Sequence, residues 1–236
     1  MKKKKISRCS EISFAIGTVL LALGTVLQAK ANLGMSATVA PAYVLSEAVG
    51  FIPPGTMCYI CQGFLVLLTI ALLRRFKLEF VVTFGSAVIF GLFVDLFTGI
   101  VFARLVSPTL VQRWLILALG TVVCSMAIAF LFNSYFPPQA PELFAKEAAG
   151  LLGWSKYKGK YAYDICSCVL SVAMSFIFFR ELRMIGPATV VCALVNGPMI
   201  GFFGRMMNRF ADFTPMFPRV AAFFDKEETE NDTKLL

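Results

Sequence analysis

Residues 79–100 read EFVVTFGSAVIFGLFVDLFTGI, and residues 186–207 read GPATVVCALVNGPMIGFFGRMM. Each run has about the 20 mainly apolar residues that a helix needs to cross the hydrocarbon core of a bilayer. One polar side chain lies inside each run at a matching position, Asp95 in the first and Asn196 in the second. This pattern predicts a membrane protein built from two related halves, with polar groups near their meeting line.

The composition of the whole chain supports a membrane protein. Hydrophobic residues make up 58 % and charged residues 15 % of the 236 residues, and the mean hydropathy is +0.76. Soluble domains have about 45–50 % apolar and about 25 % charged residues. The net charge of +8 does not indicate a nucleic-acid partner, because Lys2–Lys5 stand directly before the first apolar run, as in cytoplasmic membrane-flanking segments.

Six runs are long enough to span a bilayer, at residues 11–33, 55–73, 79–100, 113–132, 163–179 and 186–207. The connections 36–51 and 141–154 are too short to span. They are interpreted as re-entrant or interfacial helices, with packed loops as the alternative. Most of the 22 Lys and Arg residues fall on one side if both termini are cytoplasmic. The charged tail from Asp225 is predicted to be disordered.

Short matches in the sequence relate the two halves. Residues 22–26 and 118–122 both read ALGTV. A proline and a glutamate recur in the two connections, as Pro41, Glu47, Pro141 and Glu147. Residues 2–29 resemble a secretory signal, but the recurrence of ALGTV predicts that this run is kept as the first span.

The fold class predicted is an all-α polytopic membrane protein of about six transmembrane helices in two inverted three-helix repeats. Three spans per repeat is an odd number, so the halves enter the membrane with opposite polarity, as in many secondary transporters. The predicted segments are a basic cytoplasmic N-terminus, the two repeats and a polar cytoplasmic tail, at 1–10, 11–112, 113–208 and 209–236.

Asp95 is the first candidate for binding a solute. An ionisable group within a span is expensive to bury and is by default a functional hypothesis. The alternatives are that it reaches water or caps a neighbouring helix end. Gln62 in the second span is a secondary candidate.

The sequence Asn196-Gly197-Pro198 is the stronger local signal. Pro198 cannot donate a hydrogen bond to the carbonyl of Leu194. A kink or a short unwound turn is therefore expected, with a free carbonyl beside the Asn196 amide, as in broken-helix transporters. The alternative is a kink satisfied by a neighbouring helix, with Gly197 and Gly201 as a packing face.

Other chemistry has little support in the sequence. Glu47 and Glu147 are candidate gate residues, although solvation at the surface explains them more simply. Histidine is absent, and Cys58-x-x-Cys61 has no second pair to complete a metal site. No nucleophile has a base beside it. We therefore expect no enzyme, no metal and no cofactor.

The sequence resembles the YczE/YyaS/YitT-like family of bacterial multi-pass membrane proteins. The resemblance covers most of residues 11–208. It is carried by Leu33-Gly34, by Gly91-x-x-x-Asp95 and by Gly197-Pro198-x-x-Gly201. It implies a location in the bacterial cytoplasmic (inner) membrane.

Two functions are consistent with these observations. The first is a secondary transporter, or a solute-binding membrane subunit, for a small polar solute held by Asp95 and Asn196. The alternative is a non-transporting scaffold or regulatory membrane protein. The expected partners are the lipid bilayer and, in the first case, the solute. A homodimer or a partner membrane protein is left open.

Overall fold

The protein is described here by a computed structural model that covers residues 6–104, 109–154 and 156–214. The helices are α1 (Ser10–Ala31), α2 (Ala40–Val49), α3 (Pro54–Leu73), α4 (Leu78–Leu96), α5 (Leu110–Phe132), α6 (Ala140–Leu151), α7 (Lys156–Phe179) and α8 (Pro187–Phe210). A π-helical turn, Phe97–Val101, extends α4. Two short strands, β1 (Ile6–Cys9) and β2 (Ala211–Thr214), pair in parallel. The expected basic segment Lys2–Lys5 and the expected disordered tail from Asp225 lie outside the described residues.

Six helices are long and apolar enough to cross a membrane: Ser10–Ala31, Pro54–Leu73, Leu78–Val101, Leu110–Phe132, Lys158–Phe179 and Pro187–Met207. They confirm the six predicted spans, and the chain is a multi-pass membrane protein. The fifth span was predicted to begin at residue 163, whereas α7 begins at Lys156. Hydropathy excluded this first turn because of its lysines, but Lys160 pairs there with Glu142 on α6.

The two short connections form helices that begin inside the bundle. Before α2, the Ala37 carbonyl accepts a 2.7 Å hydrogen bond from Ser167, which lies midway along α7. Before α6, the Pro138 carbonyl accepts one from Thr83 of α4, at 3.2 Å. Both segments are therefore short helices packed into the bundle rather than ordinary loops.

The two copies of ALGTV pack against each other. A Cβ on Gly24 would lie 2.9 Å from the Gly120 carbonyl oxygen, and one on Gly120 would lie 3.0 Å from the Gly24 carbonyl oxygen. Ser13, which precedes Gly24, donates a 2.8 Å hydrogen bond to the carbonyl of Phe130, which follows Gly120. Helices α1 and α5 are therefore antiparallel, and their glycines allow close backbone approach.

Packing between the halves is reciprocal. Both halves have the helix order long, short, long, long. The short helix α2 packs against α7 of the other half, and the short helix α6 packs against α3. One pair differs: α3 packs closely along α4, whereas α7 and α8 share few contacts among the described residues. The largest buried cluster lies where α1, α2, α3 and α4 meet, and it includes Val26 of the first ALGTV copy.

Candidate functional site

A cavity of about 300 Å³ lies where the two halves meet. Its walls come from α1, α5, the connections before α2 and α6, and the first turns of α6, with one residue each from α4 and α8. The walls are mainly apolar, and the polar lining residues include Thr25, Gln28, Thr38, Gln139, Glu142 and Asn196. The volume is at the lower end of the range for small-molecule sites, which are typically apolar with a few placed polar groups.

Asn196 is the predicted site residue that lines this cavity. Ser125 of α5, which is fully buried, donates a 3.2 Å hydrogen bond to Asn196 Oδ1. This contact fixes the amide and leaves its Nδ2 group as a hydrogen-bond donor. A ligand with an acceptor oxygen would complement it.

The helix around Asn196 is not broken. Helix α8 runs through Pro198 without interruption, so the predicted unwound turn does not form. Gly197 and Pro198 are both exposed, and a Cβ on Gly197 would meet nothing within 4 Å. A proline within a helix removes one hydrogen bond and crowds the carbonyl four residues earlier, here that of Leu194. A transmembrane helix tolerates this by a bend or a local adjustment, so unwinding is not required.

Gln28 is a second polar residue of the cavity and was not predicted. Its side chain is 1 % exposed. It donates to Thr121 Oγ1 at 3.4 Å and accepts from the backbone N–H of Ser36 at 3.3 Å. Gln28 therefore ties the connection after α1 to α5. The signal in the sequence was a lone amide side chain within the first apolar run. The structure adds that this amide contacts Thr121 of the second ALGTV copy.

A charged network joins the beginnings of the two short helices at the cavity. Lys160 of α7 forms ion pairs with Glu142 at 3.0 Å and with Asp164 at 3.1 Å. The Thr38 hydroxyl donates to Asp164 at 3.4 Å. Asp164 therefore pairs both within α7 and with the connection before α2. Thr38 and Glu142 both line the cavity.

Both short helices begin at the cavity without a side-chain cap. The N-cap residues, Val39 of α2 and Gln139 of α6, line the cavity and make no capping hydrogen bond. The first N–H groups of a helix carry a partial positive charge. The second residue of each helix is a proline without an N–H, and the Ala40 N–H already donates to the Ser36 carbonyl. The Asn196 amide is therefore the clearer donor to an acceptor oxygen on a ligand in the cavity.

Asp95 is not a cavity residue. One carboxylate oxygen accepts from the Gly55 N–H at 2.6 Å, and the other accepts from the N–H and the hydroxyl of Thr56, at 2.8 and 2.7 Å. These groups form the first turn of α3, whose N-cap, Pro53, supplies no side-chain cap. The expectation that Asp95 faces a central cavity is therefore corrected. It caps a neighbouring helix, because a carboxylate at a helix N-terminus is stabilised by the uncompensated amides.

The close crossing of α3 and α4 places Asp95 at that helix end. A Cβ on Gly55 would clash with the Gly91 carbonyl oxygen, and a Cβ on Gly91 would clash with the Gly55 carbonyl oxygen. Gly91-x-x-x-Asp95 is thus a packing and capping pattern: the glycine admits α3, and the acid one turn later caps it.

Gln62 lies away from the cavity lining. Its side chain is buried, and its Oε1 atom has no hydrogen-bond partner among the described residues. Such an unpaired buried acceptor costs stability.

Glu47 and Glu147, the candidate gate residues, each form an ion pair. Glu47 of α2 pairs with Arg183 at 2.6 Å, and Glu147 of α6 pairs with Lys77 at 3.3 Å. Glu147 and its partner are buried, whereas Glu47 and its partner are partly exposed to solvent. Hydrogen bonds from Arg183 to Glu181 and to Glu47 raise the pKa of its guanidinium, so the cation stays charged at any physiological pH.

The described part of the chain contains no group of three or more Cys, Asp or Glu side chains placed to hold a metal ion. Cys58 is buried, and Cys61 is partly buried on the same helix.

Comparison with known proteins places the chain in a family. No curated protein and no solved structure matches it, so the resemblance to YczE/YyaS/YitT-like proteins stays a prediction. A family model does match, and it covers residues 8–205, which include the first five spans and all but the last two residues of the sixth. The chain belongs to DUF6198, a family of unknown function.

Proposed function

We propose that this protein is a small-solute carrier, or the solute-binding subunit of one, built from two inverted three-helix repeats. The antiparallel packing of α1 on α5 through their matching glycines supports a two-fold relation between the halves. The reciprocal packing of α2 on α7 and of α6 on α3 supports it as well. In inverted-repeat transporters the solute binds at the repeat interface.

The observation that carries this function is the cavity of about 300 Å³ at that interface. Its apolar walls suit a compact apolar body. The Asn196 amide suits an acceptor oxygen such as that of a carbonyl or a carboxylate. The ligand inferred is therefore a small amphipathic solute with acceptor oxygens at one end.

We also infer the location and orientation of the chain. The distribution of Lys and Arg supports cytoplasmic termini, and the family resemblance in the sequence supports a bacterial inner membrane. The pairing of β1 with β2 is consistent with termini on one face. We assign no catalytic step to the chain, because no nucleophile with a base was identified in its sequence.

The test is a thermal-shift screen of the detergent-purified protein against small carboxylates, amino acids, vitamins and nucleobases. A ligand at 100 times its dissociation constant adds about 2.7 kcal/mol to the free energy of unfolding. We expect Asn196→Leu to lose this stabilisation while staying folded. The matched control is Gln62→Leu, which makes the same kind of change at a buried position outside the cavity lining and should keep the response.

Two results would overturn the carrier function. One is that no solute stabilises the wild-type protein. The other is that Asn196→Leu keeps the full response to every solute that does. Either result favours the alternative, a scaffold or regulatory membrane protein whose polar residues only hold helices together.

A further inference from the structure

The ion pairs of Glu47 and Glu147 occupy equivalent places in the two halves. Glu47 lies near the end of the short helix α2, and Glu147 lies in the short helix α6. The partner of Glu47, Arg183, lies in the connection between α7 and α8, and the partner of Glu147, Lys77, lies in the connection between α3 and α4. Each pair therefore joins the short helix of one half to the hairpin turn of the other half.

The cations share a further feature. Arg183 lies over the ring of Phe179, with its guanidinium carbon 4.6 Å from the ring centre. Lys77 lies over the ring of Phe80, with its Nζ atom 5.9 Å from the ring centre. A ring beside each cation restricts its motion and holds it toward the glutamate. The rings stand on opposite sides of the two turns, since Phe179 ends α7 and Phe80 lies in the first turn of α4, but each half combines a glutamate, a cation and a ring.

The two pairs lie at opposite ends of the bundle. Successive spans alternate in direction, so the connection after α3 and the connection after α7 face opposite sides. The cavity lies between them, and its lining includes the connection that leads into α2 and the first turns of α6. If a short helix moves away from the hairpin turn with which it forms its ion pair, the cavity opens toward the membrane face where that pair lies.

We propose, on the basis of the carrier function above, that these ion pairs are two alternating latches of the central cavity. The Glu47 latch (Glu47 with Arg183) closes one end, and the Glu147 latch (Glu147 with Lys77) closes the other. Solute passes when one latch opens while the other holds the two halves together. This is the requirement for alternating access around a fixed site.

The latches differ in strength. In the Glu147 latch the side chains are 8 % and 14 % exposed, whereas in the Glu47 latch they are 32 % and 41 % exposed. Breaking a buried pair leaves charges away from water, whereas an exposed pair is weak and screened by salt. The Glu47 end therefore opens more readily, and salt favours its opening further. Glu47 Oε2 is buried with no hydrogen-bond partner in the described part of the chain, which weakens this latch further.

The experiment uses Cys124, which lines the cavity, as the reporter in a full-length protein whose other cysteines are replaced by alanine. The rate of reaction with a membrane-impermeant methanethiosulfonate is measured from each face of the membrane in vesicles. We expect Glu147→Gln to raise the rate from the Lys77 face by about tenfold or more. Glu47→Gln should raise the rate from the Arg183 face by about two- to fivefold.

The matched control is Glu181→Gln. Glu181 also pairs with Arg183 at 2.6 Å, but it lies two residues away and joins no separate helices, so the labelling rate should stay at the wild-type value. The exchange of charges in Lys77→Glu with Glu147→Lys should restore slow labelling, which separates a latch from a folding defect.

The inference is overturned if both latch variants change labelling at the same face, or if neither changes it. A solute response that depends on Asn196, together with unchanged labelling, would refute the latches alone. If each latch variant changes labelling at its own face but no solute stabilises the protein, the solute-carrier function is refuted. The two ion pairs would then still control access to the cavity.

Discussion

Replacing Asp95 by alanine removes the only side-chain cap that the structure gives the N-terminus of α3. Two backbone N–H groups, of Gly55 and Thr56, lose their acceptor, and so does the Thr56 hydroxyl. The hydroxyl can rotate to another acceptor, but the two amides are fixed by the helix. Loss of an N-cap costs about 0.5–2 kcal/mol, and loss of a hydrogen bond to a charged group costs about 1.5–3 kcal/mol.

The opposing effect is relief from holding a charge within a span, which costs about 2.5–3.5 kcal/mol at the bilayer centre. Asp95 lies near the end of α4, beside the first turn of α3, where this cost is much smaller. The loss of the cap therefore dominates. We expect Asp95→Ala to lower the free energy of unfolding by about 2–4 kcal/mol, which combines these terms for the two amides.

The assay is unfolding of the detergent-purified protein by SDS or heat, followed by fluorescence. At about 2–4 °C per kcal/mol for a chain of this size, the melting temperature should fall by about 5–15 °C. Asp95→Asn keeps one acceptor oxygen, so its melting temperature should fall by about half as much as that of Asp95→Ala. As the control, Glu181→Ala removes an exposed acid and should stay within about 0.5 kcal/mol of the wild type. An Asp95→Ala protein as stable as the wild type would refute the capping role.

The remaining predictions concern packing and buried polar groups. Gly24→Val should lower the free energy of unfolding by about 1–3 kcal/mol, because the new side chain meets the backbone of α5. Gly85→Ala adds a methyl group that meets nothing within 4 Å, so it should leave the free energy of unfolding unchanged or raise it. Gln62→Leu should raise it by about 1 kcal/mol by removing an unpaired buried acceptor. Lys160→Met should lower it by about 1–2 kcal/mol, because two carboxylates lose their shared cation. Each is measured by the same unfolding assay.

Most of the fold could be predicted from the sequence because bilayer spans have a strong local signal. The length of each apolar run gave the six spans to within a few residues, and the start of α7 differed because a paired lysine is tolerated in its first turns. The functional site was harder to predict. Asn196 was found because an amide in an apolar run is conspicuous, but Asp95 was conspicuous for the same reason and has a structural role.

These two residues differ in the groups that they contact, and those contacts are set by the tertiary structure. Asp95 faces the amides of α3 because two glycines bring α3 and α4 together. Asn196 faces the cavity because α8 packs on α5 and lies apart from α7. The polarity of a residue in a span can be read from sequence, but the group that satisfies it cannot.

The sequence by itself determined the membrane class and the number of spans, since both depend on composition and local spacing. Only the tertiary structure decided that the two ALGTV copies meet, that Glu47 and Glu147 pair with opposite hairpins, and that Gln28 joins Asn196 around one cavity. These contacts link residues far apart in the chain. They depend on how helices cross, and helix crossing is set by side-chain packing over the whole bundle rather than by any single segment.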